Sequence, residues 1–347
     1  MRIVVMGTGP FAVPMLRAMY ESAHQVVALV TQPPRPTHRR GEDAPNPMRA
    51  LALEHGTPIL DPESVNTPES RAALSAYRPD LLLVADYGQI LAPETLAVAP
   101  HGGINVHASL LPKYRGAAPI NWAIYHGEQV TGVTLIHMTP GLDAGPSLAQ
   151  ATTTIGQEDT AADVEPRLAL LGAGLVRKLV DRLAAGETIP AIPQDPALAT
   201  RARRLKKSDG AIDWSRRAQE IKNQVRALDP WPRTFTYWHR EGAAPMRLIL
   251  GRVEVVTTVH FDAPPGTVIV AQSGGIIPVR PDLEVEIPIR LPRSEGELVI
   301  LTGDRGLSIH TLQPAGKRLM SVDEFLRGHP VQVGDRFGPE EHFPRPR

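Results

Sequence analysis

Residues 2–20 read R-I-V-V-M-G-T-G-P-F-A-V-P-M-L-R-A-M-Y. The unbroken apolar run from Ile3 to Met6 fits a short strand buried on both faces, and after a two-glycine turn Pro10 to Tyr20 has helical spacing. Val26 to Val30 repeats the strand signal, and Leu81 to Ala85, Gly103 to His107 and Val133 to His137 extend it. Between them, Pro47 to His55, Pro68 to Tyr77 and Pro119 to His126 read as helices. This alternation predicts an α/β class with a doubly wound, mostly parallel, Rossmann-like sheet, whose ligands bind beyond the carboxyl ends of the strands.

The opening turn carries Gly7, Gly9 and Ala12, a G-x-G-x-x-A form of the dinucleotide fingerprint. A nicotinamide cofactor would need an acid at the end of the second strand to hold its ribose, but that strand ends Val30, Thr31, Gln32, Pro33. NAD is therefore not expected, and the glycines read as a turn whose backbone approaches another ligand.

Ala161 to Ala185 predicts one long amphipathic helix, and Gly186, Pro190, Pro193 and Pro196 mark a linker. Beyond a helix at Ser215 to Leu228, short alternating runs at Thr234 to Trp238, Arg247 to Val256, Thr267 to Ala271, Leu298 to Thr302 and Leu307 to Leu312 predict a small β-barrel. Pro278 to Arg293, rich in proline and charge, reads as an exposed insertion. The expected division is 1–188 for a catalytic domain, 189–208 for a basic linker, 209–335 for the barrel and 336–347 for a tail.

The chain has 347 residues, 42% apolar and 21% charged, a globular composition that excludes wholesale disorder. No apolar run approaches the ~20 residues of a membrane span, and Ile3 to Met6 is too short for a secretory segment, so a cytoplasmic protein without a membrane partner is expected. With no cysteine, thiol nucleophiles, zinc-thiolate sites and disulfides are excluded. Formal charge is zero overall but divided: residues 1–200 carry 14 basic and 19 acidic side chains, net −5, whereas 201–347 carry 23 and 18, net +5. Such asymmetry points to a polyanionic partner for the second half.

The chemistry is concentrated in residues 104–146. Asn105 and His107 lie two apart on a predicted strand and share one face. The asparagine can donate to a developing oxyanion and the imidazole can exchange protons near neutral pH. Asp143, in the run Gly141, Leu142, Asp143, Ala144, Gly145, sits where a loop can bring its carboxylate to the imidazole. No serine, cysteine or lysine in this set is activated as a nucleophile, which favours direct transfer to a substrate's own nucleophile. Taken one by one, a strand-end histidine and a turn aspartate also have structural readings. A metal site from His107, His137 and Asp143 lacks H-x-x-x-H or H-E-x-x-H spacing, and no metal is expected.

Asn105 to Pro112 (N-V-H-A-S-L-L-P), then Arg115, Gly116, Ala117 and the Gly141-Leu142-Asp143 loop, resemble the signature of the 10-formyltetrahydrofolate-dependent formyltransferases. Within that superfamily the resemblance to the methionyl-tRNA formyltransferases covers nearly the whole chain. It includes Tyr87 to Leu91 and, further on, Asp213 and Trp214, Ala227, Leu228, Pro230, Trp231 and Pro232, and Leu312 to Lys317 with Phe325, Leu326 and Gly328. The resemblance implies that Asn105, His107 and Asp143 form a catalytic trio and that the barrel is OB-like. It implies a folate site at Tyr87, Gly88, Gln89, Ile90, Ser109, Leu110, Leu111 and Pro112. It further implies 10-formyltetrahydrofolate as formyl donor and the α-amino group of methionine on initiator Met-tRNA as acceptor, in translation initiation, by a monomer.

Two basic stretches bear on the tRNA. The loop Pro33 to Arg40 resembles the family's acceptor-stem loop through Arg35, Arg39 and Arg40, although His38, Gly41, Glu42 and Asp43 depart from its usual glycine and lysines. Arg203, Arg204, Lys206 and Lys207 form a second tract whose position between predicted domains favours phosphate contact over a solvated connector. Asp86, Thr139, Ala144 and Pro146 are further departures, none of which removes a member of the trio. The rival readings are a sugar-nucleotide amine formyltransferase, a 10-formyltetrahydrofolate hydrolase and a non-catalytic RNA-binding protein.

Overall fold

The computed structural model describes residues 1–34, 46–240, 242–256, 263–271 and 297–341. Arg35, Arg39, Arg40 and the 278–293 insertion lie outside these residues. The chain forms two compact units. The first is Met1–Ala123, Gln129–Gln157 and Ala162–Arg204; the second is Ile124–Glu128, Glu158–Ala161 and Leu205–Arg347.

The first unit is built on a seven-stranded sheet. Its strands are β1 (Arg2–Met6), β2 (Gln25–Val30), β3 (Ile59–Leu60), β4 (Leu81–Val84), β5 (Gly103–His107), β7 (Val130–His137) and β8 (Ser147–Thr154), in the order β3-β2-β1-β4-β5-β7-β8. The short β6 (Arg115–Gly116) pairs instead with β9 (Arg201–Ala202). β1 to β5 are mutually parallel, and the order reverses between β1 and β4, as a doubly wound sheet requires. β7 and β8 are antiparallel additions.

The helices are α1 (Val13–Tyr20), α2 (Pro47–Glu54), α3 (Pro68–Ala76), α4 (Pro93–Leu96), α5 (Pro119–Tyr125) and α6 (Ala161–Ala184). β4 is buried throughout and β1 from Ile3 to Met6, which is why their sequences are continuous apolar runs. α6 packs closely on β5: a Cβ on Gly172 would lie 2.9 Å from Val106 Cγ1. Val106 therefore faces α6, and its strand neighbours Asn105 and His107 face the other way.

The glycines of the opening turn are required by the packing of the fold. A Cβ on Gly9 would lie 1.8 Å from Asp86 Oδ2, and one on Gly7 would lie 2.7 Å from the Ala85 carbonyl oxygen. The glycines let the turn after β1 close against the chain leaving β4, where Thr8 N donates to Asp86 O at 3.0 Å. Burial pushes the Asp86 carboxyl above its ordinary range, a rise opposed by its hydrogen bond with the Gly9 backbone.

The second unit contains α7 (Ala218–Ala227), α8 (Val322–Gly328) and two antiparallel sheets. One sheet contains β10 (Thr234–His239), β11 (Met246–Leu250), β16 (Thr311–Pro314), β17 (Met320–Ser321) and β18 (Arg336–Gly338). The other contains β12 (Val253–Val256), β13 (Val268–Ala271), β14 (Leu298–Leu301) and β15 (Gly306–Ile309). The stretch Arg247 to Val256, read as one strand, is two, because the chain turns a corner at Gly251. A Cβ there would lie 2.3 Å from Thr311 Oγ1, and Arg252 N donates to that hydroxyl at 2.7 Å. The same corner divides Leu307 to Leu312 at His310, whose N–H donates to Arg252 O.

A bridge between Thr267 and Arg336 joins the sheets along another edge, giving a barrel-like enclosure. Arg336–Gly338, within the stretch set aside as a tail, pairs with Tyr237 to His239 and buries Phe337 completely. That phenylalanine joins Trp214, Trp238, Leu248 and Phe325 in the unit's core.

Candidate active site

β4 and β5 run parallel in register, with Leu83 opposite Ile104 and Val84 opposite Asn105, so their following loops leave the same edge of the sheet. These loops are the two carrying the expected folate residues. Asn105 and His107 point from the end of β5 away from α6, and the chain after β7 brings Asp143 to both. Asp143 Oδ1 accepts from Asn105 Nδ2 at 3.3 Å, while Oδ2 accepts from the Gly116 amide at 2.9 Å and lies 3.6 Å from His107 Nδ1. The His107 and Asp143 side chains are only 6% and 12% exposed, so their interaction is weakly screened by water.

The imidazole has a defined orientation. Its Nε2 lies 2.9 Å from the carbonyl oxygen of Tyr114, an atom that can only accept. In the neutral ring Nε2 therefore carries the proton, and the bare lone pair is on Nδ1, facing Asp143. Tyr114 and Asp143 both adopt left-handed backbone conformations, with φ of 64° and 48°. Such conformations in non-glycine residues are uncommon and must be held by their surroundings.

The loop after β5 rests on a buried hydroxyl that sequence reading did not single out. Thr134 Oγ1, on β7, donates to Ser109 O at 2.7 Å and accepts from Leu111 N at 3.0 Å. Gln150 Nε2, on β8, donates to both Thr134 Oγ1 and Leu111 O. The available signal was a threonine inside the apolar run V-T-G-V-T-L-I-H. Ser109, buried, donates to Lys113 O and so shapes the loop internally. Leu110 lies over Gly132, where a Cβ would meet Leu110 Cδ2 at 2.5 Å, and Leu111 is buried.

In the loop after β4, Tyr87 turns its ring into the core with Val4, Met6 and Val30, leaving its main chain as the part not packed there. Its hydroxyl is buried without a hydrogen-bond partner among the described residues, and burial pushes its pKa up. Gly88 has φ of 84°, Gln32 Nε2 donates to Tyr87 O, and Gln89 is tied down by Val65 N and Pro62 O. Ile90 is 63% exposed, and Asn66 Nδ2 donates to its carbonyl.

The stretch expected as a linker begins as part of this site. Ile192 forms a two-way bridge with Ser147, and Arg201 and Ala202 pair with Arg115 and Gly116. Gln194 reaches into the Asp143 loop. Arg203 lies over the Trp122 ring at 4.8 Å, and Trp122 Nε1 donates to Arg203 O. Arg203 and Arg204, both exposed, end the first unit; Lys206 and Lys207, also exposed, lie at the start of the second. His137, its pKa lowered by burial and then by the neighbouring His101, pairs with Ile104 on the adjacent strand. Among the described residues no group of three or more histidine, aspartate or glutamate side chains is placed to hold a metal. Nor is any described helix long and apolar enough to cross a membrane.

Comparison with known proteins agrees with this architecture. Residues 1–179 match the formyl transferase family, and residues 204–282 match the formyl transferase C-terminal domain. Among solved structures, an N-formyltransferase from Helicobacter canadensis, crystallised with folinic acid and dTDP-3-aminofucose, superposes with a TM-score of 0.57 at 17% identity. The match covers 88% of this chain and 97% of that one. HypX from Aquifex aeolicus with tetrahydrofolic acid gives a TM-score of 0.54 at 15% identity, covering 94% of this chain and 47% of HypX, so the chain spans about half the HypX length. At such identities the likeness is one of fold.

Much nearer in sequence are the methionyl-tRNA formyltransferases of Citrifermentans bemidjiense and Symbiobacterium thermophilum, each 40% identical over 98% of this chain. The alignments cover 98% and 96% of those proteins, respectively. Because identity at this level runs through both units and not the catalytic sheet alone, the chain belongs to the methionyl-tRNA formyltransferase family.

Proposed function

We propose that this protein transfers the formyl group of 10-formyltetrahydrofolate to the α-amino group of methionine on initiator Met-tRNA, in the cytoplasm and as a monomer. The observation carrying the reading is the convergence of Asn105 and His107 on one carboxylate, Asp143, at the carboxyl edge of the sheet. The folate would lie along the loops at Tyr87 to Ile90 and Ser109 to Pro112, where main-chain groups are held in place by Gln32, Asn66 and Thr134.

The chemistry follows from the donors and acceptors present. The neutral amine attacks the formyl carbon, a C–N bond forms, and the carbonyl oxygen gains negative charge. The Asn105 amide has two N–H groups. Asp143 takes one, and the other is available to the developing oxyanion. The bare Nδ1 of His107 takes the proton that the attacking nitrogen sheds, and Asp143 stabilises the resulting imidazolium. As the intermediate collapses, the bond to the folate nitrogen breaks and that nitrogen receives the proton. An α-amino group titrates at about 7.7 to 8.0, so the nucleophile is already partly neutral at physiological pH and no stronger base is required.

The test offers the protein 10-formyltetrahydrofolate with Met-tRNA, with an amino-sugar nucleotide, and with no acceptor. Formyl-methionyl-tRNA is the expected product. Formylation of the sugar alone, or folate turnover independent of acceptor, overturns the reading.

The exposed tract Arg203, Arg204, Lys206 and Lys207 is assigned to the tRNA backbone, and the arginines of the 35–40 loop to its acceptor stem. Replacing the four tract residues with glutamine should weaken Met-tRNA binding and flatten its salt dependence. The log–log slope should fall by about 0.7 to 0.9 for each phosphate that the variant no longer neutralises. A titration series from low to moderate salt measures this, and an unchanged slope removes the tract from the interface.

A further inference from the structure

Asp143 is held by more than its carboxylate. Gln194, in the proline-rich stretch after α6, directs its side-chain amide at the Asp143 loop: Nε2 donates to the carbonyl oxygens of Asp143 and Gly145, at 2.9 and 2.7 Å. Its Oε1 accepts from Arg115 Nε and Nη2, at 3.1 and 2.8 Å. The two amide hydrogens and the amide oxygen are thus all engaged, and the guanidinium fixes which end of the amide faces the loop. The main chain on either side is equally tied. Ser147 and Ile192 exchange hydrogen bonds, while Thr200 O accepts from Arg115 N and Thr200 Oγ1 accepts from Tyr114 N.

The loop needs such restraint. Asp143 adopts a left-handed conformation, and a Cβ on Gly145 would lie 1.7 Å from His137 O, so the chain here passes very close to the end of β7. Asp143 has one position in which Oδ1 meets Asn105 while Oδ2 meets Gly116 N–H and faces His107. A displacement of about 1 Å at a reacting centre is enough to cost roughly a hundredfold in rate.

We propose that Gln194 is a positioning residue of the formyl transfer reaction, which anchors Asp143 against Asn105 and His107 through the Arg115–Gln194 pair. This rests on the functional reading above. It makes the stretch from Ile192 to Ala202 a working part of the active site. Gln194 has no reacting atom to touch. Its effect passes through Asp143.

The decisive variant is Gln194→Glu, which keeps length and volume and retains a partner for Arg115 but replaces both donors with a carboxylate facing two carbonyl oxygens. The full-length variant should show kcat reduced about 30-fold, with KM for Met-tRNA and for 10-formyltetrahydrofolate each within about threefold, because the interaction it removes serves the transition state. Combined with Asp143→Asn it should be no slower than Asp143→Asn alone, since residues acting through one group are not additive. Hydrogen exchange at the Gly116 amide, which donates to Asp143, should accelerate at least tenfold without substrate present.

Three results would overturn the proposal: kcat within twofold of wild type, losses that multiply in the double variant, or unchanged Gly116 exchange. The exchange measurement does not depend on the reaction assigned. Wild-type protein that fails to formylate Met-tRNA while Gln194→Glu still frees the Gly116 amide would refute the function and leave the anchor standing.

Discussion

Formyl transfer by His107→Ala should fall about 10³-fold, within the range that a positioned acid–base group contributes, while Met-tRNA binds as tightly as to the wild type. The geometry separates these two effects. The His107 ring is buried, engaged by Tyr114 O on one side and facing Asp143 on the other, so in the proposed reaction its removal deprives the attacking nitrogen of a proton acceptor without touching the exposed basic tract. Single-turnover formylation at saturating folate, alongside a filter-binding titration with Met-tRNA, makes the comparison. Retained turnover within tenfold of wild type would remove His107 from the proton path. Loss of binding parallel to loss of rate would mean that the ring supports the fold rather than the chemistry.

Asp143→Asn should lower kcat by a comparable factor, about 10³, although the side chain keeps its size. The wild-type carboxylate only accepts, and the Asn105 amide and the Gly116 N–H both donate to it while His107 Nδ1 lies close by. An asparagine in its place must turn its own N–H group toward one of those sites. If it faces Gly116, two donors oppose each other at the anchor of the loop. If it faces Asn105, the amide that should meet the oxyanion is displaced. Either arrangement removes the negative charge that the proposed reaction sets against the His107 imidazolium. KM for both substrates should change little, and a variant with kcat within fivefold of wild type would show that the carboxylate is dispensable.

Sequence reading located the catalytic sheet well where its signals are physically strong. β1, β2 and β4 are apolar runs of largely buried residues and were read within a residue of their observed bounds, and β5 was read with the boundaries observed. β8 escaped notice because its sequence, S-L-A-Q-A-T-T-T, lies in an edge strand with no fully buried residue and carries little hydrophobic contrast. β18 escaped because three residues after a glycine turn are too few to show a period.

The candidate trio could be named from the sequence because its residue types suggest chemistry and two members are strand neighbours, and the structure brings the three side chains together. Gln194 and Thr134 could not be, for a different reason. They work by hydrogen bonds to main-chain atoms, and no spacing rule announces which backbone carbonyl or amide will face them. Gly9 was noticed, but the packing that requires it could not be read locally. The group approaching it is the carboxylate of Asp86, separated by more than seventy residues and invisible to a local pattern.

The pairing of β9 with β6 bears on how such a catalyst can be divided. The family match to the catalytic region ends at residue 179, whereas the compact unit continues to Arg204. Those last residues include Gln194, Thr200 and Ala202, which fasten the loops around Asp143 and Tyr114. A chimera joined at the end of the family match would inherit the sheet with Asn105, His107 and Asp143 but leave behind the stretch that hydrogen-bonds the Asp143 loop. Exchange of modules by recombination therefore keeps these fastenings only when the crossover falls after Ala202. A crossover beyond that point exchanges the chain from Leu205 onward and leaves the loops around Asp143 and Tyr114 fastened within the first unit.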